Sequence, residues 1–143
     1  MTNSRKDFQQ QFWSKLERVF HERQLEWPKN IPDQCKDFPM GKRVTLFLGV
    51  LHKDNRLTIG LALDGDAAQK NFDLLKGHRN EIEKQLGLTL TWDPKPGSKR
   101  CAITLERHVD NLDDKMTWAD HHDWMATLLP RFQSVFRPHI DRM

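Results

Sequence analysis

The sequence predicts an α+β domain with elements in the order αββαββα, a mostly antiparallel four-stranded sheet covered by helices. Three observations lead there. Both ends of the chain carry apolar residues at helical spacing, two pairs of alternating segments are each joined by a short turn, and a capped amphipathic segment lies between the pairs. At 143 residues, with 37% hydrophobic and 30% charged side chains, the chain fits one domain spanning 1–143. A chain of that size removes about 70% of its unfolded surface from water, enough for a core without staples.

Phe8, Phe12, Trp13, Leu16, Val19, Phe20 and Trp27 recur on one broad stripe, which predicts a helix over 7–26. Asp7 with Gln10 reads as its capping box, and Pro28 as its stop. Residues 28–42 hold three prolines and a glycine without a sustained period and read as a loop. Val44, Leu46, Leu48 and Val50 then alternate, turn through Lys53–Arg56, and return as Leu57, Ile59, Leu61 and Leu63, a hairpin in which Gly49 and Gly60 mark close backbone approach. Asp66 and Gln69 cap a helix over 66–86 that carries Phe72, Leu75, Ile82 and Leu86, tolerates Gly77, and ends at Gly87. Leu88, Leu90 and Trp92 form a third strand, and Cys101, Ile103 and Leu105 a fourth beyond the turn at 93–99. Residues 108–116 are a charged link. Trp118 to Phe136 keep helical spacing, with Pro130 expected to split them into two pieces.

Composition narrows the classes. No apolar run approaches the roughly 18–20 residues that span a bilayer, no secretory leader is readable, and a soluble cytoplasmic protein is expected. Cys35 and Cys101 match no zinc or disulfide framework and read as reduced, ordinary thiols; Lys36 beside Cys35 is a charge that lowers a thiol pKa slightly, but an inert loop thiol is the expectation there. The net charge of +3 permits a polyanionic partner without requiring one. No dinucleotide, P-loop or nucleophile-elbow motif is present, so no cofactor is expected.

Several constellations hold the atoms for chemistry. His121 and His122 stand between Asp120 and Asp123, but adjacent histidines point about 100 degrees apart on a helix, so solvated or capping roles are expected and no metal. Asp93 and Lys95 resemble the end of a PD-(D/E)xK nuclease signature, with Asp64 as the earlier acid and Mg²⁺ as the implied ion, although Pro94 favours an ordinary turn. Lys95, Lys99 and Arg100, with Lys42 and Arg43, form a candidate phosphate-binding or partner-binding patch. Trp92 is expected in the core with Leu88 and Leu90, and Trp13, Trp27, Trp118 and Trp124 sit on or beside helical stripes. Trp27 and Phe38 are candidates for an exposed aromatic surface.

The succession Asn71-Phe-Asp-Leu-Leu75, Glu81-Ile-Glu83, Leu86-Gly-Leu-Thr-Leu-Thr-Trp92 and Trp118…Trp124…Phe132…Phe136 resembles the bacterial and archaeal domain-of-unknown-function family numbered 4268 over nearly the whole chain. Pro130 departs from that family's uninterrupted final helix. The resemblance implies a fold and a bacterial or phage defence-related setting, with no assigned catalytic residues. Glu83, inside the most specific part of the pattern, is expected to make an i,i+4 contact or to hold Arg100 or Arg107.

These readings converge on a non-enzymatic binding or regulatory module that recognises a protein or a nucleic acid. A metal-dependent nuclease-like phosphodiesterase using Asp64, Asp93 and Lys95, and a protein inhibitor acting through an exposed aromatic surface, are the alternatives. The sequence leaves the oligomeric state open.

Overall fold

The computed structural model describes residues 4–28 and 35–143. Helix α1 spans Ser4–Glu22 and buries Phe8, Phe12, Trp13, Leu16 and Phe20 along the expected stripe. It stops before Pro28 because Gln24 takes a left-handed φ of 59°. The Leu25 N–H then reaches back to the Phe20 carbonyl (2.8 Å) and the Gln24 N–H to that of His21 (3.1 Å), a Schellman closure built without glycine.

The sheet has five strands: β1 (Cys35–Gly41), β2 (Val44–Leu51), β3 (Arg56–Asp64), β4 (Thr91–Asp93) and β5 (Arg100–His108). They lie in the order β1-β2-β3-β5-β4, every neighbouring pair antiparallel. The first of them corrects the expected loop at 28–42, of which residues 29–34 lie outside the described residues. Prolines argue against a strand only where both edges must pair, and β1 is an edge strand, irregular between Pro39 and Gly41. Phe38 and Met40 alternate into the core while Asp37 and Pro39 face out.

Helices α2 (Ala68–Lys76) and α3 (Arg79–Leu86) replace the single helix expected over 66–86. The break falls at Gly77, where the helix former is weakest, and lets Phe72 and Leu75 on one piece and Ile82 and Leu86 on the other all reach the core. Asp66 does not cap the first piece, whose N-cap position is Ala67; it pairs with Lys99 at 3.0 Å. Helix α4 (Trp118–Asp141) runs straight through Pro130 and Pro138 rather than splitting. A proline inside a helix costs about 3 kcal/mol, less than the burial of Trp118, Met125, Leu129, Phe132, Phe136 and Ile140 along the same helix contributes.

The helices pack on one face of the sheet, over Leu46, Leu48, Leu57, Ile59, Leu61 and Ile103. The opposite face carries Thr45 and Phe47, then Thr58, Gly60 and Ala62, then Ala102 and Thr104, and none of these joins the helix-side core. Gly60 behaves as its sequence suggested: a Cβ there would stand 2.6 Å from the tip of the Phe47 ring and 2.9 Å from the Thr104 methyl. Gly49 has no such conflict, its nearest neighbour being 3.8 Å away. Beyond β2 the chain turns at Asn55 with φ 50°, and the Asn55 side chain accepts the Leu112 N–H at 2.9 Å.

Candidate functional site

Glu83, inside the most specific part of the family pattern, forms a clasp between α3 and the residues that follow it. Glu83 on α3 accepts the backbone N–H of Leu90 (2.7 Å) and the indole N–H of Trp92 (3.2 Å) on one oxygen, and the Arg79 guanidinium (3.3 Å) on the other. Burial alone would raise its carboxyl, but these three hydrogen bonds prevail and hold it below the usual carboxylate range. The expected i,i+4 contact is present, whereas neither Arg100 nor Arg107 is a partner. Gly87 closes α3 with φ 71°, which positions Leu88–Leu90 for the clasp. The clasp also explains why β4 is confined to Thr91–Asp93 instead of starting at Leu88: Leu90, which would face Leu105 in a longer ladder, gives its N–H to a carboxylate. Trp92 is half-buried, its ring edge-on to Phe72 with centroids 6.1 Å apart.

The basic residues gather at one end of the sheet, where Lys99 and Arg100 are paired with carboxylates and Arg43 and Lys95 have no ion pair among the described residues. Arg100 makes a two-point pair with Asp64 (2.6 and 3.2 Å), which holds the Asp64 carboxyl below its ordinary range; Arg43 adds to that shift and packs over Gly65. Lys99 pairs with Asp66 in solvent. Lys42 reaches the carbonyls of Asp141 and Met143, where a cation complements the C-terminal end of α4. Lys42 and Arg43 form the β1–β2 turn, with φ of 54° and 62°. Lys95 has φ 45° and gives its N–H to the Asp93 carboxylate at 3.1 Å, as an aspartate turn does.

Asp64 and Asp93 lie on strands either side of β5, opposite Arg100 and Ala102, and Asp64 is already held by a guanidinium. Among the described residues no group of three His, Cys, Asp or Glu side chains is arranged to hold a metal ion. His121 and His122 are not solvated, as the sequence suggested, but 5% and 3% exposed. His122 packs on the Phe12 ring, centroids 4.5 Å apart, and burial pushes its pKa down to about 4 despite a hydrogen bond with the Phe12 backbone. Burial likewise lowers His121, helped by Arg107. Both thiols are free, and burial raises both; at Cys35, Asp37 adds to the rise and outweighs the Lys36 charge that was expected to lower it.

Among the described residues, three surfaces stand out for recognition. The first is the helix-free face of the sheet, with Phe47 half-buried at its centre. The second is a groove of about 790 Å³ between α1 and residues 25–28, with Trp13, Trp27 and Lys36 in its wall. Trp13 and Lys36 already have partners. Phe38 is not on this surface, being 6% exposed and stacked against Phe20 at 6.2 Å, and Trp27 packs edge-on to the same ring. The third is a groove of about 360 Å³ between Leu88, Arg107 and the α4 residues Asp120, Asp123, Trp124, Thr127 and Leu128. Neither the helix-free face nor this smaller groove is legible in the sequence, since both arise from which strands become neighbours.

Comparison with known proteins adds a family and a distant structural likeness. The model of a family described as Domain of unknown function (DUF4268) matches residues 8–140. No curated protein matches the chain. Among solved structures, a chain in one described as "Crystal Structure of the ExsC-ExsE Complex" is similar, at 13% identity and a TM-score of 0.37, over 80% of this chain and 90% of that one.

Proposed function

The chain belongs to the DUF4268 family, and we propose that it is a non-catalytic binding module whose partner is a protein, docked on the helix-free face of the sheet. The observation that carries this reading is the Phe47 ring lying across Gly60 on a floor of Thr45, Thr58, Ala62, Ala102 and Thr104. Thr58 and Ala62 are already covered, at 7% and 6% exposed, so a partner meets the half-buried Phe47 ring, and aromatic side chains including Phe are enriched at protein interfaces. Charge lies mainly toward the margins, where Arg56 is paired with Glu106 (2.7 Å) and Arg100 with Asp64, while exposed Asp37 on β1 stands beside Phe47 in register.

A nucleic-acid partner is less well supported, because phosphate binding draws on lysines and arginines that release counterions. Here Lys42, Lys99 and Arg100 are engaged by carbonyls and carboxylates of the same molecule, which leaves Lys95 and Arg43 as the patch cations without an ion pair among the described residues. A nuclease centre has the least support, for the geometric reasons given above. No helix among the described residues is long and apolar enough to cross a membrane. The defence-related setting rests on the resemblance alone.

A photoreactive benzophenone side chain in place of Phe47 tests the reading in a lysate of the source cell. Protein adducts at position 47 that are missing when the probe sits at Lys70 on α2 are expected. Equal labelling at the two sites would overturn the assignment of this face. So would salt-sensitive binding of labelled DNA or RNA that vanishes in a Lys95, Lys99, Arg100 triple-alanine variant.

A further inference from the structure

The outer edge of β5 is unequally covered. Strand β4 pairs only with Ala102–Thr104, so among the described residues no strand pairs with that edge over Leu105–His108. The cause is local: the Glu83 clasp draws Leu88–Leu90 toward α3 and away from the ladder. The space so opened is the groove of about 360 Å³, with Leu88, the Trp124 ring and Leu128 as apolar walls. Arg107 lies over Trp124, its guanidinium carbon 5.7 Å from the ring centroid, and forms one side. Asp123 is held by Arg23 at 2.6 Å, while Asp120 lines the groove, exposed and with no ion pair among the described residues.

An uncovered strand edge specifies its occupant's conformation, because only an extended chain satisfies a row of backbone donors and acceptors. The groove specifies the side chains: an apolar one for the Leu88, Trp124 and Leu128 walls, and a cation for Asp120. We propose that β5 accepts over Leu105–His108 an extended segment of a partner protein as a further strand, with an aliphatic side chain in the groove and a lysine or arginine at Asp120. This goes beyond docking on the sheet face and uses a different surface. A second copy of this chain fits the edge less well, since the side chain of β5 that faces the groove at this level is Arg107, and edge-to-edge pairing would place two guanidinium groups there.

The test is selection from a displayed library of random octapeptides on the purified protein. Enriched peptides are then synthesised with a fluorescent label and measured by anisotropy, and amide hydrogen exchange is followed in the complex. Enrichment of sequences with alternating aliphatic residues and a lysine or arginine is expected, with slowed exchange confined to Leu105–His108. Asp120→Lys is expected to weaken binding at least tenfold and to be rescued by a peptide in which glutamate replaces the basic residue. Phe47→Asp is expected to leave peptide binding unchanged, which separates this site from the sheet face. No enrichment, protection elsewhere than β5, a charge swap without rescue, or a concentration-dependent dimer whose contacts protect Leu105–His108 would each overturn the proposal.

Discussion

The two edges of this sheet are guarded by different means. On one side β1 carries Pro39, which has no N–H to offer a neighbour, and an irregularity at Gly41, so the strand itself discourages further pairing. On the other, β5 carries neither device and is screened only by the short β4, held by three ladder pairs, the Trp92–Phe72 contact and the Glu83 carboxylate. One edge is closed by its own backbone and the other by removable contacts. The difference teaches that the β5 side is where a change of partner costs the molecule least.

Four measurements break or sharpen that contrast. Acid breaks it wholesale, because both edges fail when the fold does. His122 has a pKa of about 4 in the folded protein against an ordinary 6.5, so the unfolded chain binds more protons between those values. Stability from keeping this ring neutral is fully present above pH 6.5 and declines as pH falls toward 4, by up to about 3 kcal/mol. Urea melts at pH 7, 5 and 4 are expected to show it, and His122→Phe to flatten the decline. Glu83 acts lower: its depressed carboxyl stabilises above its ordinary pKa of 4.5, a contribution lost as pH falls through the folded value.

Glu83→Ala breaks the contrast on one side only. It leaves the Leu90 amide and the Trp92 indole without their acceptor and is expected to cost about 2 kcal/mol. Amide exchange over residues 88–93 should accelerate while β1 stays protected. Arg100→Ala sharpens the comparison by removing a cation that takes part in neither guard; an exposed pair of this kind contributes under about 1 kcal/mol, and its thermal midpoint should move little. Pro39→Thr is the smallest in stability, within about 0.5 kcal/mol, yet it restores an N–H to the β1 edge. Concentration-dependent association in sedimentation should rise for this variant alone.

Much of the fold was legible because periodicity is local. The stripe from Phe8 to Phe20, the alternation from Val44 to Leu63 and the apolar run of α4 were all readable, since burial on one face leaves its period in the chain. What was not legible depended on neighbours elsewhere in the sheet. Residues 35–41 look like a loop until β2 pairs with one side and leaves the other side free. Leu88 and Leu90 alternate like a strand, and only Glu83, seven residues before Leu90, decides that they are not one. Pro130 predicts a break that the buried face of α4 overrides. At the candidate surfaces the charges of Lys42, Lys99 and Arg100 were visible in sequence, but their engagement by Asp141, Asp66 and Asp64 was not. Histidines 121 and 122 were placed on a helix, yet their burial depends on α1 and β5 packing against α4.

The chain order has a consequence during synthesis. Strands β1, β2 and β3 form a meander from neighbouring segments and can assemble early, but the helix lying over their inner face is α4, which is made after all three. Until residues 118–141 arrive, Leu46, Leu48, Ile59 and Leu61 lack that cover although their strands are already paired, a sticky intermediate of the sort that draws chaperones or aggregates. Truncation before Trp118 should therefore yield a chain that is insoluble rather than merely less stable.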